Sequence, residues 1–257
     1  MQAVALTIAG SDPSGGAGLQ ADLKTFHRFG VYGEAVVTLL TVQNSQRLDR
    51  VECVSPEMVI AQLRAVLEDI PPHAAKLGAL GSAETIRAIA REARGFRFPL
   101  VIDPVMISKH GTLLIHEDAV EALRGELLAS AFLLTPNLQE AEALTGLQVR
   151  DLPAMRQAAE RLRDLGAKHV LVKGGHLPGS PIDLLLASGM AYEIPGERVE
   201  TRHTHGTGCT YSAAITAELA KGTELVDAVH LAKAFITRAI RTNPGLGRGA
   251  GPLNHQA

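Results

Sequence analysis

The sequence predicts an α/β fold: a central, mostly parallel sheet with helices on both faces and a small antiparallel edge. Three observations carry that expectation. Short runs of Val, Ile and Leu alternate with longer segments whose apolar residues recur at helical spacing, as repeated strand-helix units require. The short runs are continuously apolar, which marks parallel strands buried on both faces. Two further apolar runs are separated only by Ser188 and Gly189, as a tight hairpin turn would separate them.

Taken in order, strands are expected over 4–9, 35–42, 75–77, 100–103, 132–135 and 169–173, followed by the hairpin over 183–187 and 190–194. Met58, Leu63, Val66, Leu67 and Ile70 form one helical stripe. Met155, Ala158, Ala159, Leu162 and Leu165 form another, which stops at Gly166. Helices over 209–220 and 225–240 close the fold. The first of these is apolar almost all round and is therefore expected at the centre of the molecule.

At 257 residues and without a linker-like stretch, one domain over 1–257 is expected. A net charge of -2, with both signs interspersed, supplies no long-range field for nucleic acid or an anionic membrane and leaves small metabolites as the expected ligands. Cys53 and Cys209 form neither a CxxC pair nor a secreted-type framework, which fits a reducing cytoplasm. The first apolar segment is too short for a signal h-region and lacks a basic flank. No apolar run approaches the roughly 18 residues of a membrane span.

In an open parallel sheet, ligands bind beyond the carboxyl ends of the strands, so the strand-to-helix junctions hold the chemistry. The first junction, Gly10 to Gly18, is rich enough in glycine to let backbone approach a ligand. It is not a phosphate-binding P-loop, because Gly16 stands where that motif needs Lys. Gly16, Gly18 and Ala21 fit a dinucleotide fingerprint, yet five residues intervene after the strand, and the next strand ends at Gln43 and Asn44 without a ribose-binding acid. A plain glycine turn is the third reading. Asp22 follows one helical turn on, either facing a ligand or standing as a solvated first-turn carboxylate.

The second junction is His205, Gly206, Thr207, Gly208 and Cys209. Here flexible backbone, unpaired helix-start N–H groups and the helix dipole converge on an anion hole, which is what a transferring phosphoryl group needs. A thiol at that helix start is expected to have a lowered pKa, so Cys209 could be a base, a donor or a nucleophile; a buried inert cysteine is the alternative. His203, His205 and Cys209 also match a zinc-ligand spacing, without an evident fourth ligand. Asp103, Asn137 with Glu140, and Lys173 stand at other strand ends. An acid and an amide there could hold Mg²⁺ through water, and Lys173 could neutralise phosphate charge. Asn137 and Glu140 equally fit a helix capping box. The loop 107–112 is placed where a lid would close, with Lys109 as its protease-sensitive point.

These residues lie in runs that carry a family resemblance: AGSDPSGGAGLQADLKT (9–25), VQNS (42–45), DPVM (103–106), TPNLQEAEAL (135–144), VKGGH (172–176), HTHGTGCTYSAA (203–214) and GRGAGPLNH (247–255). In order and over essentially the whole chain, the sequence resembles the bacterial hydroxymethylpyrimidine and hydroxymethylpyrimidine-phosphate kinases of the ribokinase-like superfamily. The resemblance implies a ribokinase-like fold, a homodimer, and ATP with Mg²⁺ as cosubstrates. It places Gly10, Asp22 and Gln43 in the substrate pocket, Asn137, Glu140 and Lys173 on the ATP and magnesium side, Asp103 with Glu140 at the phosphate and metal, and Gly206 to Cys209 in the anion hole. Most of the superfamily has Asp where Cys209 stands; the pyrimidine branch and some pyridoxal kinases share the cysteine. Ala79 replaces a Met that packs on the pyrimidine in the best-known members, which leaves that wall of the substrate pocket open. A pyridoxine or pyridoxal kinase on the same fold is the nearest alternative, with a nicotinamide-binding oxidoreductase or a non-catalytic ligand-binding protein beyond it.

Overall fold

The structure is a computed structural model and describes residues 2–108, 111, 112, 114, 115, 117–177 and 179–257. A nine-stranded sheet in the order β3-β2-β1-β4-β5-β6-β7-β8-β9 forms its centre. The strands are β1 Val4–Ser11, β2 Tyr32–Gln43, β3 Leu48–Cys53, β4 Ala74–Leu77, β5 Leu100–Ile102, β6 Leu133–Leu134, β7 His169–Val172, β8 Asp183–Ala187 and β9 Met190–Ile194. β2, β1, β4, β5, β6 and β7 run parallel; β3 joins β2, β8 joins β7 and β9 joins β8, each antiparallel. The hairpin forms over the residues expected. The antiparallel β3 does not appear in the sequence expectation, because Leu48, Asp49, Arg50, Val51, Glu52 and Cys53 lie on an exposed edge and carry no buried face to make them apolar.

Helices cover both faces. Alternate residues along the parallel strands feed two cores: Leu6, Ile8, Leu77, Ile102 and Leu134 pack with Val59, Leu63, Ile86, Ile89, Leu144, Met155 and Leu162. These last come from α2 Pro56–Asp69, α3 Ala83–Ala93, α5 Leu138–Thr145 and α6 Leu152–Asp164, with the short α4 Glu117–Ala122 between. On the opposite face Ala5, Val101, Leu133 and Leu171 meet Phe26, Ile215 and Phe235 from α1 Gly18–Arg28, α7 Thr207–Ala220 and α8 Leu225–Arg241. α7 is buried at every position from Thr210 to Ala220, as its all-round apolar sequence requires. The stripe on α2 is rotated from the expected one. Val59 and Leu63 face the sheet, whereas Met58 is 56% and Ile70 40% exposed. α6 is held at its start by the Asp151 side chain, which accepts the Ala154 N–H, and ends before Gly166 at φ 117.

The chain leaves β1 toward β2 on one side and later returns to pair β4 on the other, so β1 and β4 bound the topological switch of the sheet. A crevice opens there beyond the carboxyl ends of the strands.

Candidate active site

A cavity of about 730 Å³ fills that crevice, lined by residues following β1, β2, β4, β5, β6 and β7 and by the start of α7. The strand ends and one helix mouth therefore face a single space. Gly10, Gln43, Ala79, Asp103, Asn137, Glu140, Lys173, Gly206, Thr207, Gly208 and Cys209 all line it.

At one end stands the α7 mouth. Gly206 caps the helix at φ 79 without a side-chain hydrogen bond; the Thr207 N–H donates back to the Thr204 carbonyl at 3.3 Å, and the amides of Gly208 and Cys209 are the ones that open the helix toward the cavity. A Cβ on Gly206 would lie 1.8 Å from the Gly16 carbonyl oxygen, so only glycine lets the helix mouth lean on the β1 loop. Thr207 Oγ1 donates to the Thr204 carbonyl at 2.7 Å and steadies the approach. A Cβ on Gly208 would sit 3.3 Å from Lys173 Nζ, which places that ammonium at the mouth. Lys173 Nζ donates to Asp103 Oδ1 at 2.7 Å, while Thr135 and Ser212 hydroxyls donate to the same carboxylate at 3.3 and 3.2 Å. Burial works against the charge on Asp103, yet Lys173 and Lys76 hold its carboxyl below the usual range. Burial likewise works against the Lys173 ammonium, and Asp103 and Glu140 keep it charged.

Asn137 and Glu140 complete this end and also form a capping box: Asn137 N–H donates to Glu140 Oε2 at 2.7 Å, and Glu140 N–H donates to Asn137 Oδ1 at 2.9 Å. The structural and site readings of these residues thus coexist. Burial pushes the Glu140 carboxyl up to about 7 even with Lys173 nearby. Lys173 is registered to the same turn by its N–H, which donates to the Pro136 carbonyl at 2.8 Å.

The other end is built from the β1 loop. Gly10 has no room for a side chain, since a Cβ would lie 2.5 Å from Leu39 Cδ1. Asp22 is neither in the cavity nor solvated: it is fully buried beneath the floor, pairing with Lys76 at 2.8 Å and accepting the Thr7 hydroxyl at 2.6 Å. Burial raises the Asp22 carboxyl against the pull of Lys76. The expectation that Asp22 faces a ligand is corrected accordingly. Lys76 is the residue that sequence reasoning missed; a lysine inside the four-residue buried strand Ala74–Leu77 was its signal, because lysine is almost never fully buried without a partner.

Cys209 also departs from expectation. Burial pushes its thiol up to about 11, with Lys76 and the Gly18 N–H only partly opposing. Desolvation outweighs the helix-start effect, and the group is a neutral thiol near neutral pH. The zinc reading fails as well. His205 Nε2 lies 2.8 Å from Asp12 Oδ2, and no group of three or more His, Cys, Asp and Glu suited to a metal ion exists among the described residues. The dinucleotide reading of the β1 loop meets a similar obstacle. The Gly16 and Ala17 N–H groups already donate to Asp12 Oδ2 at 3.2 and 2.9 Å, so they are spoken for. Of the expected lid, Ile107, Ser108 and Gly111 line the cavity, whereas Lys109 and His110 lie outside the described residues.

An anion-binding helix mouth, a cationic side chain beside it and an acceptor space in the same cavity, on a doubly covered parallel sheet, define an α/β phosphotransferase. The family model for phosphomethylpyrimidine kinase matches residues 12–254, and the chain belongs to that family. It is 49% identical over 99% of its length to the hydroxymethylpyrimidine/phosphomethylpyrimidine kinase of Rhizobium meliloti, covering 97% of that protein. It is 48% identical over 97% of its length to the thiamine biosynthesis bifunctional protein ThiED of Geobacter sulfurreducens, of which it spans 51%. Among solved structures it is similar to an ADP complex of Bacillus subtilis pyridoxal kinase, at TM-score 0.92 and 38% identity, covering all of this chain and 98% of that one.

Proposed function

We propose that this chain, as one kinase domain, transfers the γ-phosphoryl group of ATP to the hydroxymethyl oxygen of 4-amino-5-hydroxymethyl-2-methylpyrimidine, and then a second one to the resulting monophosphate, within thiamin biosynthesis. The observation that carries this reading is the single cavity in which the α7 mouth with Lys173 faces a second space bounded by Gln43 and Ala79. In the first step the acceptor oxygen bonds to the γ-phosphorus as the bond to the β–γ bridging oxygen breaks; ADP leaves and the hydroxyl proton passes to solvent. The amides of Gly208 and Cys209 and the Lys173 ammonium face the charge that spreads over the transferring oxygens. Cys209, as a neutral thiol, orients the acceptor rather than deprotonating it. The loose transition state asks little of a base, and a phosphate acceptor asks for none.

Mg²⁺ fits the donor set as an ion held largely by the nucleotide and water. Glu140 Oε2 already accepts the Asn137 N–H, and both Asp103 oxygens accept hydrogen bonds from Lys173, Thr135 and Ser212, so both carboxylates would reach the ion chiefly through water. When bound, the ion would neutralise charge on the nucleotide phosphates. Exposed Leu40 and Val42 on β2 support assembly as a homodimer, and two free cysteines support a cytoplasmic setting.

A pyridoxal kinase activity is the second reading, favoured by the fold match to the Bacillus subtilis enzyme and by the small Ala79 in the wall. The higher identity to hydroxymethylpyrimidine kinases weighs for the first. The test is ADP release with MgATP and a panel of the aminopyrimidine alcohol, its monophosphate and pyridoxine-type vitamers, with products resolved as mono- and diphosphates. The first reading expects turnover on both aminopyrimidines exceeding that on the vitamers; turnover on vitamers alone would replace it with the second.

A further inference from the structure

Of the sequence features the site has not absorbed, the histidine run is the most informative. His205 is buried at 4% exposure and Asp12 at 2%, and both border the cavity. Asp12 is saturated: Oδ1 accepts the Ser14 N–H at 2.8 Å, and Oδ2 accepts the Ser14 hydroxyl at 2.9 Å, Gly16 N–H at 3.2 Å, Ala17 N–H at 2.9 Å and His205 Nε2 at 2.8 Å. A carboxylate so surrounded by donors is ionised and can only accept, which makes Nε2 of His205 a donor. The hydrogen bonds from His205 and Ser14 outweigh burial and keep the Asp12 carboxyl far below the usual range.

The position of this bond gives it meaning. Asp12 organises the β1 loop, and His205 is the residue immediately before Gly206, the cap of α7. One side-chain hydrogen bond therefore joins, across 193 residues of sequence, the loop that bounds the acceptor end to the helix mouth at the phosphate end. The seam is tight on both sides. A Cβ on Gly16 would lie 2.6 Å from His205 Cδ2, and one on Gly206 would lie 1.8 Å from the Gly16 oxygen. Behind His205, its N–H donates to the Gly251 carbonyl at 3.1 Å and its backbone bridges Pro252, so the ring is pressed forward onto the loop.

We infer that His205 is a positioning residue for phosphoryl transfer: through Asp12 it sets the acceptor loop against the α7 mouth, and it does so as a hydrogen-bond donor without exchanging a proton with substrate. In-line transfer tolerates little misplacement, because an error of about 1 Å in the approach of the reacting atoms costs on the order of a hundredfold in rate. The role rests on the kinase reading above, and it concerns transfer to the acceptor rather than nucleotide binding.

The experiment compares the full-length wild type with His205→Gln, which can place a donor amide toward Asp12, and His205→Ala, which cannot. Three quantities are read: kcat for the aminopyrimidine alcohol over about pH 6–9, ADP affinity by calorimetry, and acceptor-independent ATP hydrolysis. The expected result is a loss of at least tenfold in kcat for His205→Ala, ADP affinity within about threefold of wild type, and a fallen ratio of transfer to hydrolysis. His205→Gln should stay within about fivefold of wild type with an unchanged pH profile. Equal losses in His205→Gln and His205→Ala, or a pH limb that disappears in His205→Gln, would overturn the donor role. Parallel loss of transfer, hydrolysis and ADP binding in His205→Ala would overturn the positioning role. Should His205→Ala fail to fold, His205→Gln decides alone: near-wild-type transfer at every pH supports the inference, and a loss beyond tenfold overturns it. A wild type inactive on the aminopyrimidine would instead sink the functional reading, which separates the two failures.

Discussion

Two lysines on the same sheet meet two buried aspartates, and the pairs differ in how they are closed. Lys76 and Asp22 are both 0% exposed at 2.8 Å, with Lys76 set in the cavity wall and Asp22 enclosed behind it; Lys173 and Asp103, at 2.7 Å, keep 14% of the lysine side chain exposed. A sealed pair cannot change partners, so its energy belongs to the fold. An open pair can lend its ammonium to an incoming phosphate while the carboxylate keeps other donors, here the Thr135 and Ser212 hydroxyls. Under the proposed mechanism the same chemistry serves architecture in one place and turnover in the other, and the difference between the pairs is the exposure of one lysine side chain.

The sharpest way to break the comparison is Lys76→Met, which strands Asp22 as a buried charge and should cost about 3–5 kcal/mol of stability in urea denaturation. The double variant Lys76→Met with Asp22→Leu should recover most of that loss, because removing both charges leaves no desolvated ion behind. A single variant as stable as wild type would show that the pair is not sealed. Next in size, Lys173→Met should lower kcat by about 10²–10³, the usual loss on removing one stabiliser of developing transition-state charge. Retention of kcat with only a raised KM for ATP would reduce Lys173 to a binding residue.

The smallest effect concerns Glu140. Its carboxyl is raised from 4.5 to about 7, so between those values the folded state holds a proton that the unfolded chain releases. The contribution to stability is therefore greatest at acid pH and falls as pH climbs through that window, by at most about 1.4 kcal/mol per pH unit. Glu140→Gln should flatten this slope in denaturation midpoints compared at about pH 5 and pH 8. An unchanged slope would mean that some other group sets it.

Local patterns were readable from the sequence, and distant partnerships were not. The β8–β9 hairpin, the buried α7 and the Asn137–Glu140 cap follow from signals within a few residues, and they form where expected. β3 escaped notice because an exposed edge strand carries no hydrophobic face. The reading of Asp22 failed for a different reason. Its partner lies 54 residues away, and nothing in the helix that carries Asp22 announces Lys76. At Cys209 a helix start favours the thiolate, but enclosure by the β1 loop and the sheet beneath, which no local pattern announces, reverses the effect. Sequence spacing thus pointed to strand ends that line one cavity, while burial sets which groups there are charged.

The seam behind the α7 mouth has a consequence for how the molecule comes into being. Residues 10–18 emerge first from a ribosome, His205 much later, and Gly251 and Pro252, which brace it, later still. Most of the sheet can assemble before then, yet the cavity lacks this brace until those contacts arrive. The seam is therefore among the contacts of longest sequence separation, and it closes after most of the sheet can form.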